Sequence, residues 1–175
     1  MIKNRIAKLK KIIKINNLDG YIIPKNDAYF SEFALPDRLK TISNFSGSAG
    51  FAIILKKNNF LFVDGRYTIQ AQIQSGKNFK IIEIPKFSPK DILKKYKNKL
   101  SIGFDPQLFT RYTLEKKFNN ICNLLPISKN LIDIIYNDKR KIFAEPFYSL
   151  ENEITGESVN SKINKILKKM KSKNI

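Results

Sequence analysis

Gly50-Phe51-Ala52-Ile53-Ile54-Leu55-Lys56-Lys57-Asn58-Asn59-Phe60-Leu61-Phe62-Val63-Asp64-Gly65-Arg66-Tyr67 is the stretch on which the fold turns. Gly50 to Leu55 and Asn59 to Val63 are dense in Ile, Phe and Val, and Lys56-Lys57-Asn58 separates them, so the two runs predict an antiparallel hairpin. Neither run alternates with polar residues. Strands that are apolar throughout are buried on both faces, which places the hairpin near the centre of a sheet. Where the second run ends, Asp64-Gly65 opens a helical stretch from Arg66 to Ser75. Asp64 is placed to cap it, Tyr67, Ile69, Ala71 and Ile73 supply a partly apolar side, and Gly76 provides the stop.

On the N-terminal side, Ile2, Ile6, Leu9 and Ile13 fall at helical spacing. Gly20-Tyr21-Ile22-Ile23 then reads as a short buried strand stopped by Pro24. From Lys25 to Ser48 clear periodicity is lost, which predicts a long loop with one helical turn, a kind of segment that often carries function. On the C-terminal side, Phe79 to Ile84 is a strand, and Ser88-Pro89-Lys90-Asp91 starts a helix carrying Ile92, Leu93 and Tyr96. Leu100 to Phe104 is a strand, Thr110 to Phe118 a helix, and Ile121 to Ile127 a strand containing Cys122. Asn130 caps a last short helix through Tyr136. Strands alternating with helices around one hairpin predict an α/β fold, a mixed sheet flanked by helices on both faces.

That domain is expected to span 1–138. Residues 139–160, with Pro146, Gly156 and Glu145, Glu151, Glu153 and Glu157, read as a linker. Residues 161–175 continue as an amphipathic helix, with Val159, Ile163, Ile166, Leu167 and Met170 on one side and lysines on the other. It reads as the first helix of a truncated second domain.

Composition narrows the chemistry. The 175 residues suffice for one domain plus an extension, and 42% hydrophobic with 27% charged residues is ordinary globular usage. Histidine is absent and Cys122 is the only cysteine, so His-based catalysis, His metal ligation and an intramolecular disulfide are excluded for this chain. No apolar run approaches a membrane span and Met1 to Lys14 is no signal peptide, so no membrane is expected and the chain reads as cytoplasmic. The net charge of +18 raises nucleic acid as a partner. Against it, 28 Lys stand beside only 5 Arg, with 27 Ile and 18 Asn, a bias that A- and T-rich codons produce, whereas phosphate recognition favours Arg.

No nucleotide loop, nucleophile elbow or zinc spacing is present. Ser46-Gly47-Ser48-Ala49-Gly50 could expose N–H groups to an anion or simply form a tight turn into the Gly50 strand. In Asp64-Gly65-Arg66-Tyr67, Arg66 could grip a carboxylate. Alternatively the string is structural, with Asp64 as cap, Gly65 permitting the turn and Arg66 paired to a nearby acid. Cys122, in an apolar strand, reads as core.

Several strings, in order, resemble the N-terminal domain of the Xaa-Pro aminopeptidases, aminopeptidase P of the creatinase/prolidase group. They are Ile23-Pro24, Ser31-Glu32-Phe33, Asp37-Arg38, Asn44-Phe45-Ser46-Gly47-Ser48-Ala49-Gly50, and Phe62-Val63-Asp64-Gly65-Arg66-Tyr67 with Gln70 and Ala71 in register. Asn130-Leu131, Asp133, Ile135-Tyr136 and Asp138, with Arg140 close by, match a further string. Tyr29, Phe33, Thr41, Asn44, Phe62 and Tyr136 depart from the family's usual residues.

The resemblance implies a creatinase-like N-terminal fold and a parent enzyme whose separate catalytic domain holds two divalent metals, usually manganese, and cleaves before proline. It implies no catalytic and no metal residue in this chain. Its expected role is scaffold, dimer contact and substrate gating, with the second and catalytic domains and a possible second copy as partners. Peptide substrate is expected only in the full enzyme. Arg66, Tyr67, Phe45 and Arg38 are the candidate substrate or domain-interface residues, and Asp64 and Gly65 the structural turn. Two rivals remain: a basic nucleic-acid-binding module using the terminal helix, and a free-standing interaction domain that pairs with a separately encoded catalytic chain.

Overall fold

The computed structural model describes residues 2–31, 33–136 and 146–174. Glu32, Asp138, Arg140 and Glu145, and with them the boundary expected at 138/139, lie outside the described residues. The chain divides into two compact units, Met1–Lys139 and Arg140–Ile175.

The first unit is a six-stranded mixed sheet flanked by helices, the α/β class expected from the sequence. Its strands are β1 (Gly20–Pro24), β2 (Phe51–Leu55), β3 (Asn59–Asp64), β4 (Lys80–Ile84), β5 (Ser101–Phe104) and β6 (Asn123–Pro126), in spatial order β4-β3-β2-β1-β5-β6. The hairpin β2–β3 pairs antiparallel from Phe51↔Phe62 to Ile54↔Asn59, and β2 also pairs antiparallel with β1. The outer pairings, β3–β4, β1–β5 and β5–β6, are parallel.

Every residue of β1 and β2 is buried, as strands covered on both faces require. The two-residue period divides the core cleanly. Tyr21, Ile23, Ala52, Ile54, Leu61 and Val63 face α1 (Ile2–Ile15), α2 (Arg38–Ser43), α3 (Thr68–Ser75) and α6 (Leu131–Ile135). Ile22, Ile53, Phe60, Phe62, Ile102 and Phe104 face α4 (Pro89–Leu93) and α5 (Arg111–Phe118).

Four details depart from the sequence reading. In α3, Ala71 is buried but Ile69 and Ile73 are 76% and 78% exposed, because positions 69, 71 and 73 repeat every two residues while a helix repeats every 3.6. Gly76 ends that helix with right-handed backbone, φ −57°, rather than the left-handed turn of a glycine stop. The helix starting at Pro89 closes at Leu93, and Tyr96 lies beyond it, its hydroxyl accepting from Asn58 Nδ2 at 3.0 Å. Cys122 is buried just before β6, and β6 itself is an edge strand with no fully buried residue.

In the second unit, α7 (Asn152–Thr155) falls within the expected linker and α8 (Val159–Ser172) begins at a Ser158 cap. Val159, Ile163, Ile166, Leu167 and Met170 of α8 are all exposed. Among the described residues no helix is long and apolar enough to cross a membrane.

Candidate functional site

Register fixes where the loops gather. Pro24 lies opposite Phe51, Phe51 opposite Phe62, Asp64 beside Ile84 and Phe104 beside Pro126. The chain therefore leaves β1, β3, β4, β5 and β6, and enters β2, at one end of the sheet. In α/β sheets the carboxyl ends of parallel strands are where ligand and partner contacts collect.

At that end, Asp64 initiates a 3-10 turn, Gly65–Tyr67, by accepting from the Arg66 N–H at 2.9 Å. The Arg66 guanidinium returns onto the same carboxylate, Nε to Oδ1 at 3.1 Å and Nη2 to Oδ2 at 2.8 Å. The hydrogen bond from Arg66 holds the Asp64 carboxyl below its usual range. Arg66 is exposed and also lies 5.4 Å from the Tyr67 ring centroid. The sequence left open whether Arg66 grips a ligand or pairs with an acid, and its acid is Asp64. Gly65 has no left-handed backbone, and a Cβ there would meet only Glu83 Oε1 at 3.6 Å, so Asp64 rather than glycine freedom shapes the turn.

Tyr67 joins this turn to the Asn44–Gly50 loop. Its hydroxyl shares a 2.8 Å hydrogen bond with Ser48 Oγ, and its ring meets Phe45 edge-on, centroids 5.8 Å apart. Phe45 is completely buried, so the loop presents serines rather than this ring to the surface. Gly47 lies so close over Phe45 that a Cβ would come within 2.3 Å of Cζ. Gly50, at φ +150°, would place a Cβ 2.8 Å from the Phe62 carbonyl oxygen. The Ser46 N–H donates to Gln74 Oε1 at 2.9 Å, and Gln70 and Gln74 each donate to Ser46 Oγ at 2.9 Å. That N–H is committed to α3, which ties this end of the loop down as a packed turn.

Arg38 is placed differently. It grips Asp133 of α6 with two bonds, Nε to Oδ1 at 2.9 Å and Nη2 to Oδ2 at 2.7 Å. Burial opposes its charge, yet the Asp133 hydrogen bonds outweigh that and leave its pKa raised. The structure therefore brings Phe45, Asp64, Arg66 and Tyr67 together, while Arg38 ties α2 to α6.

Sequence reasoning marks Lys25 to Ser48 as a loop of the kind that often carries function but chooses none of the exposed aromatics after β1 as site residues. Tyr29, Phe30, Phe33 and Leu35 are all exposed there, Tyr29 at 91% and Phe33 at 82%. Asp27 braces the loop by accepting from the Tyr29 and Ser31 N–H groups at 2.9 and 3.0 Å. Lys25 and Asp37 form an ion pair at its base, and Asn26 Nδ2 donates to the Leu108 carbonyl at 3.0 Å. The available signal was three aromatics within five residues that belong to no helix or strand period. Cys122 offers no nucleophile, since burial pushes its thiol up to about 11.

Residues 5–135 match the family model described as the creatinase/prolidase N-terminal domain. A probable Xaa-Pro aminopeptidase P of Coprinopsis cinerea is 30% identical over 93% of this chain and 28% of its own length. Xaa-Pro aminopeptidase 2 of Rattus norvegicus is 34% identical over 93% of this chain and 25% of its own length. This chain thus spans little more than a quarter of those relatives. Among solved structures, the X-prolyl aminopeptidase of Caenorhabditis elegans, described as a cytosolic enzyme with a di-nuclear active site, superposes with TM-score 0.78 and 27% identity. That superposition covers 99% of this chain and 32% of the enzyme.

The residues described here do not fit a dinuclear metal centre. The sequence holds no histidine, and among the described residues no cluster of three or more His, Cys, Asp or Glu could hold a metal ion. Asp37, Asp64 and Asp133 are each engaged by a Lys or Arg.

Proposed function

The chain belongs to the creatinase/prolidase N-terminal domain family, and from that premise we propose that it serves as the non-catalytic first domain of a manganese-dependent, cytoplasmic Xaa-Pro aminopeptidase. The observation that carries this reading is that nearly the whole chain matches a minor fraction of much longer proline-specific peptidases. In it, the sheet is a scaffold, residues 139–160 are a linker, and the helix after them opens a second domain. The strand-end surface formed by the Asp64-Gly65-Arg66-Tyr67 turn and the aromatic loop at 29–35 serves substrate gating, contact with the catalytic domain and pairing with a second copy. Arg66, oriented by its two bonds to Asp64 and lying over Tyr67, is the residue we assign to a peptide carboxylate or a neighbouring domain.

The test is hydrolysis of an Xaa-Pro peptide with added manganese, by this chain alone and after mixing with a catalytic polypeptide from the same source. The chain alone is expected to be inactive, and the mixture to be active in a way that Arg66→Ala weakens. Hydrolysis by the isolated chain would overturn the assignment, and so would a catalytic polypeptide that is indifferent to its presence.

A further inference from the structure

The sheet face under α4 and α5 carries a feature that the aminopeptidase reading does not use. These two short helices leave between them a groove of about 950 Å³. Its apolar floor includes Phe51, Ile84 and Ile121, and its rims carry Lys90 and Lys94 from one side and Lys116 and Lys117 from the other. Among the described residues no Asp or Glu lines it.

Of the acids nearest in sequence, Glu83 lines a separate hollow beside α3, and Asp91 and Glu115 are engaged by their own helices. Asp91 accepts from the Ser88 N–H at 2.8 Å and Ser88 Oγ at 2.7 Å, and Glu115 accepts from Arg111 Nε at 2.7 Å. Lys117 Nζ sits 4.6 Å from the Phe51 ring centroid, at the edge of the apolar floor. Burial, with Lys116 beside it, lowers its pKa, so the ammonium there is short of a counter-charge. On the other flank of α4, a second hollow of about 370 Å³ repeats the composition with Lys80, Lys95, Phe60 and Tyr96, again without an acid. On the opposite face, by contrast, Lys25 and Arg38 each hold a carboxylate.

The distribution of charge selects the ligand. Lys90 and Lys94 are four residues apart, roughly 5–6 Å between their Cβ atoms on a helix, and Lys116 and Lys117 stand on the other rim, so the cations flank an apolar trough from two sides. A single phosphate would gather them, whereas a chain with spaced carboxylates matches them. The exposed rim rings Phe87 and Tyr112 already carry Lys86 and Lys116 over a face, 6.0 and 5.7 Å from the centroids, and no Arg lines the groove, which disfavours stacked nucleotides. We propose that the α4–α5 groove docks an acidic polypeptide segment of a partner protein, in which Asp or Glu residues flank an aliphatic or aromatic side chain that fills the apolar floor.

The probe is a fluorescently labelled synthetic peptide with Glu and Asp on both sides of a Leu-Phe pair, titrated with the full chain by anisotropy. Binding is expected, weakening as salt is raised. Replacing Leu-Phe by Ser-Ser, or making the double variant Lys94→Glu/Lys116→Glu, is expected to lower affinity tenfold or more. Lys168→Glu/Lys169→Glu on α8 alters net charge equally and is expected to leave affinity unchanged. Circular dichroism confirms that each variant is folded, and the milder Lys94→Gln/Lys116→Gln pair is expected to weaken binding in the same direction. The proposal is overturned by an absence of binding at low salt, by equal losses in the groove and α8 variants, or by indifference to the Leu-Phe pair. Displacement of the peptide by inorganic phosphate, or by single-stranded RNA of equal charge at lower concentration, overturns it equally.

Discussion

The two faces of the sheet solve the same packing problem with different electrostatics. Under α1, α2, α3 and α6, fully buried residues such as Leu9, Leu39 and Phe45 are fastened at their margin by ion pairs, Arg38 with Asp133 and Lys25 with Asp37. Under α4 and α5 the apolar contacts are as real, with Phe51 stacked on Phe62 at 4.6 Å, but the surrounding lysines meet no acid in the groove. One face has its margin tied across elements by these two pairs. The other has its ion pair within α5, Arg111 with Glu115, and sets lysines along the rim of concave apolar surface. A net charge of +18 therefore does not describe the molecule evenly, and the place where positive charge goes unanswered over concave apolar surface carries the information.

The largest test of that contrast removes an aromatic ring from each face. Phe45→Ala is expected to lose about 3–5 kcal/mol, because Gly47 and Tyr67 close over the ring and cannot collapse into the space. Phe118→Ala, at the last residue of the short helix α5, where the helix end can shift into the space, is expected to lose less. Urea denaturation of both variants checks the order, and equal losses would break the comparison.

Next in size, Arg38→Gln is expected to cost about 1–2 kcal/mol by undoing a two-bonded pair. Lys117→Met, in the opposite face, is expected to stay within about 0.5 kcal/mol of the parent or to stabilise it, since it deletes a desolvated charge beside Lys116. Paired melts at low and high salt separate the two. A destabilised Lys117→Met protein would show that this lysine has an acid after all.

Cys122 sharpens the contrast chemically. Its thiol, pushed up to about 11 by burial, is expected to resist iodoacetamide at pH 8 and to react once the protein is unfolded in urea. A raised pKa in the folded state means that this contribution to stability is complete below the thiol's unfolded value and fades as pH climbs towards about 11. The smallest expected effect is at the strand ends. The Asp64 carboxyl should titrate by NMR below the ordinary carboxylate range and return towards it in Arg66→Gln. Because its pKa is depressed, its contribution is present above the unfolded value and is lost as pH falls through the folded one.

How much of this was readable beforehand follows from which signals are local. The hairpin at Gly50 to Val63 was legible because uninterrupted apolar runs have one good explanation, burial on both faces, and the caps at Asp64, Ser88 and Asn130 follow from single side chains next to their helices. Ile69 and Ile73 were misjudged because strand-like spacing was applied to a helix. The Asp64–Arg66 pairing was legible as one of two options, since both residues lie in one turn. The Arg38–Asp133 pair was not, because its members are 95 residues apart and only the fold brings them together. The lysine groove was hidden for a further reason: in a chain with 28 lysines, those that border concave apolar surface are marked only by their neighbours in space.

The strand order has a consequence for how the protein is born. Because β1 lies centrally and β2, β3 and β4 are added in turn on one side, the stretch up to Ile84, made before β5 and β6, supplies four adjacent strands and α1, α2 and α3. The nascent chain can therefore close most of one face while β5 and β6 are still unsynthesised, leaving the outer edge of β1 open until they arrive. Synthesis is vectorial, and this sheet grows in the order in which it is made on one side before it is completed on the other.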